Sequence, residues 1–403
     1  MRRRWSILAV LMCLVISVTG CKTNEDKEEG GANLGPGKEE KAHQGNLDMI
    51  QPSAYRNVNG LKLEAGTNIS IIGRGKSSAY WSEVRKGAEA AVDEINEMLG
   101  YKGEDKIKLT YSAPAAEDDV DDQVNILDEE LARYPAAVGI AAVDAAACEV
   151  QFDLAVENGI PVVAFDSGTT YQNIVSMVDT NNPEAAAMAA SKLSASIGDE
   201  GEVLIVAHDT KSTSAVQRES AFVNALKEKY PNVTVAVSYH LDELEEMKKT
   251  MTEGQKPSSE ETEQGEEAAP EGTQEEMPET EDEEIDISQE DVIRYLLQQH
   301  PNVKAIYTTN ETGAKLVVGV LEELEKSDVK VVSFDGGEDQ LKLLEEGKLE
   351  GLIVQNPYGI GYATVIACAR AVLEQGNEAQ VDTGYTWVTA DNMKDQVIER
   401  VMY

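Results

Sequence analysis

The sequence predicts an α/β protein built as two doubly wound parallel-sheet lobes. Three observations carry that expectation. Short apolar runs alternate with helical stretches along almost the whole chain, the pattern of a parallel sheet covered by helices on both faces. The alternation continues after Asp179, and two lobes of comparable size account for residues 67–403. Finally, the stretch Val331-Val332-Ser333-Phe334-Asp335-Gly336-Gly337 echoes Val162-Val163-Ala164-Phe165-Asp166-Ser167-Gly168. Each echo reads as a buried strand that stops at an acid and turns. Ligands of open α/β sheets bind outside the carboxyl ends of the strands. Two such ends suggest two lobes offering one acid each to a shared cleft. Asp is also common where any strand enters a turn. The repetition favours the cleft.

The chain has 403 residues and a net charge of −39, with much of the charge in one segment. That balance argues against nucleic acid and anionic lipid surfaces as direct partners. Residues 1–21 have the form of a secretory signal. Arg2, Arg3 and Arg4 precede an apolar run over residues 5–18, too short for a comfortable membrane span. Val18-Thr19-Gly20-Cys21 resembles the bacterial lipoprotein cleavage box, in which the cysteine is lipidated and becomes the first residue. The competing reading is an ordinary signal with a chance cysteine; the polar tail that follows favours the anchor. Residues 22–66, rich in Lys, Glu, Gly and Asn, read as a flexible tether. As a coil of roughly 40 residues it would span about 35 Å.

Order is expected from Thr67. Strands are read over 68–73, 107–111, 136–142 and 161–165, with helices from 87, over 121–133 and over 145–158. In the second half the helices are 184–197, 214–229, 291–299, 313–324, 340–346 and 359–374. Its strands are 202–207, 233–239, 305–309, 329–334 and 351–355. Residues 247–287 interrupt this half with a Glu-dominated run of disordered composition. It lacks the Asp/Asn spacing of a calcium loop. Cys148 and Cys368 sit in alanine-rich helical patterns, as small buried hydrophobes or as one disulfide pair. The four histidines show no Cys/His clustering, so neither a metal site nor a cofactor is expected.

Candidate binding residues stand where strands end. Arg74-Gly75-Lys76-Ser77-Ser78-Ala79-Tyr80-Trp81 follows the first strand. Tyr80 and Trp81 there suit stacking on the C–H face of a sugar ring, although either could be core. Phosphate-loop and dinucleotide glycine patterns are absent. Arg218 lies near the start of a helix, Asn310 and Asp335 follow strands, and Gln355 ends one. Singly each reads as a cap or turn residue. Together they are the planar, multivalent groups that hold vicinal hydroxyls.

With these residues the chain resembles a ribose-type (type I) periplasmic binding protein, the solute receptor of sugar ABC importers. The resemblance covers 67–403 apart from the acidic run. It implies that Tyr80 and Trp81 stack on the ligand, and that Asp166, which follows Ile160-Pro161-Val162-Val163, accepts from its hydroxyls. Arg218, Asn310, Asp335 and Gln355 match the family's polar ligands in chain order. Three features depart from the family pattern: Ser167 stands where ribose receptors often carry Arg, Ala141 where they carry Asn, and the surroundings of Arg74 are unusual. These leave open an anionic sugar, a polyol or a furanose-like signal molecule. The resemblance also implies a three-strand hinge, crossing near Asp179-Thr180, Gln355-Asn356 and Tyr385-Thr386. The lobes would be 67–179 plus 356–385, and 180–355 plus 386–403.

The resulting expectation is a monomeric, lipid-anchored, extracytoplasmic receptor that captures a monosaccharide-like ligand for an ABC permease. A sensor subunit signalling to a membrane kinase or chemoreceptor shares the fold. A sugar-responsive repressor would carry a DNA-binding helix pair where the lipobox stands. An enzyme would need a nucleophile, paired-carboxylate or metal motif, and none is visible.

Overall fold

The computed structural model describes residues 43–253, 286–399 and 401–403. The first lobe opens with α1 (Gln44–Met49), β1 (Asn68–Ile72), α2 (Ala79–Leu99) and β2 (Lys108–Ser112). It continues through α3 (Val120–Leu131), β3 (Ala137–Ile140), α4 (Glu149–Glu157), β4 (Val162–Phe165) and β5 (Ser176–Asp179). The second lobe holds α5 (Asn182–Ser196), β6 (Gly201–Ala207), α6 (Thr213–Lys229), β7 (Val233–His240) and α7 (Leu244–Glu253). After the acidic run come α8 (Gln289–Gln299), β8 (Val303–Thr308), α9 (Glu311–Glu323), β9 (Lys330–Phe334), α10 (Glu338–Glu345) and β10 (Gly351–Gln355). The chain then returns to the first lobe as α11 (Pro357–Val372) and β11 (Gln380–Asp382), and ends in the second with β12 (Tyr385–Val388).

Helix starts are marked in the sequence. Ser78, Ser212, Asn310 and Asn356 each accept a hydrogen bond from a backbone amide in the first turn of α2, α6, α9 and α11. Strand interiors such as Val-Val-Ala-Phe in β4 are buried throughout, as expected for strands covered on both faces.

The two sheets have matching strand orders, β11-β5-β4-β3-β1-β2 and β12-β10-β9-β8-β6-β7. Every pairing is parallel except β10 with β12. The chain crosses between lobes after Asp179, after Gln355 and at Thr383-Gly384. The third crossing therefore precedes the expected one, because Tyr385 already pairs with Gln355 in the second sheet.

Helices α2 and α11 touch through their backbones. A Cβ on Gly87 would lie 2.0 Å from the Tyr358 carbonyl oxygen, and one on Gly361 would lie 1.8 Å from that of Val84. Only glycine permits this approach.

Several expectations need correction. The flexible tether expected over 22–66 does not extend that far, since Leu47, Ile50, Tyr55, Leu61 and Leu63 are buried in the first-lobe core. The Tyr55 hydroxyl donates to Asn377, and Gln51 bridges to Asp382. These apolar residues follow no helix or strand period because they pack largely as coil. The acidic run expected over 247–287 is narrower at both ends, as α7 extends to Glu253 and both Met251 and Ile287 are buried. Residues 254–285 lie outside the described residues, as do the signal segment, Cys21 and the tether as far as 42. Helix α2 begins at Ala79, so Tyr80 and Trp81 belong to its first turn rather than to a loop. Among the described residues, Cys148 and Cys368 are both free and buried.

Candidate functional site

The echoed strand ends have the same backbone geometry. Asp166 has φ of 54° and Asp335 of 76°, the left-handed region that ordinary side chains avoid and Asp tolerates. The Asp166 amide donates to Val178 at 3.0 Å, and the Asp335 amide to Ile353 at 2.9 Å. Each bond reaches the neighbouring strand of the same sheet, and the chain then turns the side chain outward. The two acids sit at equivalent places in the two lobes, and both line one cavity of about 530 Å³.

The second-lobe wall is a connected polar network. The buried Arg218 guanidinium donates to the Asn182 side chain at 2.8 Å, the Thr309 carbonyl at 2.9 Å and Gln355 Oε1 at 2.8 Å. It lies over the Phe334 ring at 4.2 Å, a favourable cation–π arrangement. Thr180 also donates to Gln355 Oε1, which forces the Gln355 amide nitrogen toward Asp335 Oδ1 at 2.6 Å. Asp335 Oδ2 accepts the Glu311 amide at 3.1 Å.

The first-lobe wall is aromatic and acidic. The Tyr80 hydroxyl donates to Asp166, and the Trp81 indole donates to Glu117 at 2.9 Å. Tyr80 meets Trp81 edge-on at 5.2 Å and Tyr403, from beyond β12, at 5.5 Å. Burial pushes the Asp166 carboxyl above its usual range; the Tyr80 hydrogen bond and the Arg218 and Arg74 charges only partly oppose it. Burial also raises the Tyr80 phenol, reinforced by the Asp166 charge.

A third group joins the lobes at the cavity's edge. Arg74, 5% exposed, places Nε 2.7 Å from Asp118 Oδ1 and Nη2 3.2 Å from Asp209 Oδ2. His208 Nε2 lies 3.1 Å from Asp118 Oδ2. Arg74 and Asp118 belong to the first lobe, His208 and Asp209 to the second. Burial alone would raise the Asp118 carboxyl; the His208 hydrogen bond and the Arg74 charge outweigh it and hold the group well below the usual range. Asp209 is likewise held low against burial, by Arg74 and His208.

All eight residues singled out in the sequence line this cavity: Arg74, Tyr80, Trp81, Asp166, Arg218, Asn310, Asp335 and Gln355. Their surroundings differ from expectation in three cases. Trp81 is 4% exposed and packs in the first-lobe core near Phe165. Asn310 uses Oδ1 to cap α9 and its amide nitrogen on His208 Nδ1 at 2.6 Å. Arg74 is engaged by acids. Ser167 is buried and donates to the Ala142 carbonyl.

Sequence reasoning passed over Glu117, Asp118, His208, Glu311 and Tyr403, which also line the cavity. His208 directly follows β6 and was open to the strand-end rule. Asp118 and Tyr403 carry no local signal, since only the fold brings them in.

Two α/β lobes with a polar cavity between corresponding strand ends define the class. Residues 69–255 and 244–377 match the family model "Periplasmic binding protein domain", and the chain belongs to that family. It is 41% identical over 70 residues to the ribose import binding protein of Escherichia coli, covering 17% of this chain and 24% of that protein. To the D-apiose import binding protein of Paraburkholderia graminis it is 24% identical over 270 residues, 66% of this chain and 71% of that one. The match thus spans about a quarter of the Escherichia coli relative's length. Among solved structures, a carbohydrate transporter solute binding protein from Agrobacterium radiobacter in complex with D-arabinose superposes with a TM-score of 0.66. It shares 26% identity, over 84% of this chain and 99% of that chain. A solute binding protein from Agrobacterium vitis with bound D-fucose, at 22% identity and a TM-score of 0.64 over 83% of this chain and 100% of that one, shares the fold.

Proposed function

We propose that this protein is a lipid-anchored extracytoplasmic receptor that captures a neutral, monosaccharide-like ligand between its lobes and delivers it to an ABC permease. It performs no chemistry and works as a monomer. The observation that carries the reading is the cavity itself. Its volume of about 530 Å³ falls in the range of small-molecule sites, and acids from both lobes stand with Gln355 and Arg218 around it. Carboxylates accept from hydroxyls while Arg218, with N–H groups left over after its three protein bonds, donates. Support for transport rather than signalling comes from the import binding proteins among the relatives.

Charge speaks for a neutral ligand. Of the cations lining the cavity, Arg74 is engaged by Asp118 and Asp209 and Lys315 by Glu311 and Asp339, which leaves Arg218, held by neutral partners alone. Asp166, Asp335 and Glu117 face the same space. A sugar acid would meet more carboxylates than free cations. The anchor rests on Cys21 in its lipobox setting.

Thermal-shift screening followed by titration calorimetry tests this. Pentoses, hexoses and polyols should raise the melting temperature; uronates of the same skeleton should not. A response confined to sugar acids, or to amino acids and peptides, would overturn the reading.

A further inference from the structure

We infer that Arg74, Asp118, His208 and Asp209 form a latch across the cleft, so that Arg74 acts by closing the lobes rather than by touching the ligand. The inference does not depend on which ligand is bound.

The placement of the latch can be traced residue by residue. Asn310 Oδ1 accepts the Gly313 amide as the cap of α9, so the orientation of its side-chain amide is fixed. Its nitrogen must then face His208 Nδ1. A donor on that side leaves Nδ1 as the acceptor and puts the imidazole proton on Nε2. Nε2 points across the cleft, 3.1 Å from Asp118 Oδ2 in the other lobe, with Arg74 Nη2 also 3.1 Å away and Asp209 Oδ2 at 3.4 Å. From the opposite side, Arg74 uses Nε within its own lobe on Asp118 and extends Nη2 across to Asp209. Each lobe therefore contributes one acid and one donor, and each donor reaches the other lobe's acid. Asp209 is rigid as well: its Oδ1 accepts the Lys211 and Ser212 amides at 2.9 and 2.6 Å. Nearby, the Ser214 amide donates across the cleft to the Ser167 carbonyl at 3.3 Å.

Rotation at the hinge would separate Arg74 from Asp209 and His208 from Asp118, so the latch opposes opening specifically. Ligand affinity scales with the population of the closed form, and the latch raises that population in advance. Arg74 is thus a positioning residue.

Spin labels at Glu97→Cys in α2 and Lys227→Cys in α6 report lobe separation by pulsed electron paramagnetic resonance without any sugar. Both sites are exposed, and Cys148 and Cys368 are buried. The otherwise native protein should show a short-distance, closed population. Asp209→Asn keeps the oxygen that holds the Lys211 and Ser212 amides but loses the charge; it should lower the closed-to-open odds at least about tenfold. Arg74→Gln should do the same, Arg74→Lys less, and the double variant Arg74→Gln/Asp209→Asn little more than either single. If Arg74→Gln fails to fold, Asp209→Asn decides alone. An unchanged distance distribution in Asp209→Asn, additive effects in the double variant, or no closed population in the native pair would each overturn the latch. A failed sugar screen beside a responsive distribution would instead overturn the proposed ligand and leave the latch standing.

Discussion

Replacing Asp335 by Asn gives a sharp reading of the cavity. The change keeps the side-chain shape, and Asn tolerates the left-handed backbone at this position. It fails electrically. Both carboxylate oxygens accept from fixed donors, Oδ1 from Gln355 and Oδ2 from the Glu311 amide. An Asn side chain has one oxygen and one NH2, so either orientation turns a donor toward a donor. Gln355 cannot rotate away, because Thr180 and Arg218 hold its oxygen. A hydrogen bond to a charged group contributes roughly 1.5–3 kcal/mol. Losing the one to the ligand hydroxyl should weaken the dissociation constant by about 10- to 150-fold. Titration calorimetry with the best sugar of the screen measures this, with a thermal melt to check folding. Glu345→Ala is the control, since Glu345 sits on the surface beside Lys394; it should leave binding unchanged. Native affinity in an Asp335→Asn protein that melts normally would mean that the ligand lies elsewhere.

Other outcomes follow from burial and charge. Trp81→Ala should cost about 3–5 kcal/mol of stability, because the side chain is core and its removal leaves a void; an unaltered melting temperature would contradict its burial. Asp179, 2% exposed where the chain first leaves the first lobe, is pushed by burial to about 7 even though Gln380 donates to it. An acid whose folded value lies above its unfolded one destabilises the fold as pH rises between the two, here from about 4 to 7. Asp179→Asn should therefore melt higher than the native protein at pH 8, by up to about 4 kcal/mol of stability, and level with it near pH 4; a gap independent of pH would refute the cause. Cys21→Ala should move the protein from the membrane fraction to the soluble fraction in cells, and unchanged fractionation would refute the anchor.

The legible parts of this molecule were those written locally. The two aspartates were visible because a buried strand spells its own end, and the lobes repeat that spelling. Gln355 was visible for the same reason, and Arg218 because it stands near the start of a helix. What escaped was either unmarked or distant. β5 (Ser-Met-Val-Asp), β11 (Gln-Val-Asp) and β12 (Tyr-Thr-Trp-Val) lack the continuous apolar run that marks the equally short β3 and β4. The segment from His43 to Gly66 reads as polar linker, since its buried residues are spaced irregularly and find their partners about 300 positions away, as Tyr55 finds Asn377. Trp81 passed for a ligand platform because composition cannot distinguish a strand-end loop from the first turn of a helix. Asp118 and Tyr403 became site residues only through the topology.

The glycine contact between α2 and α11 bears on how the molecule comes into being. Gly87 and Gly361 stand 274 positions apart, and each first-lobe surface is finished by chain that has already passed through the second lobe. The first lobe lacks α11 and β11, and the second lacks β12, until nearly the whole polypeptide has been made. Contacts of such long range form slowly. A partly synthesised chain thus has no completed lobe in which to become trapped.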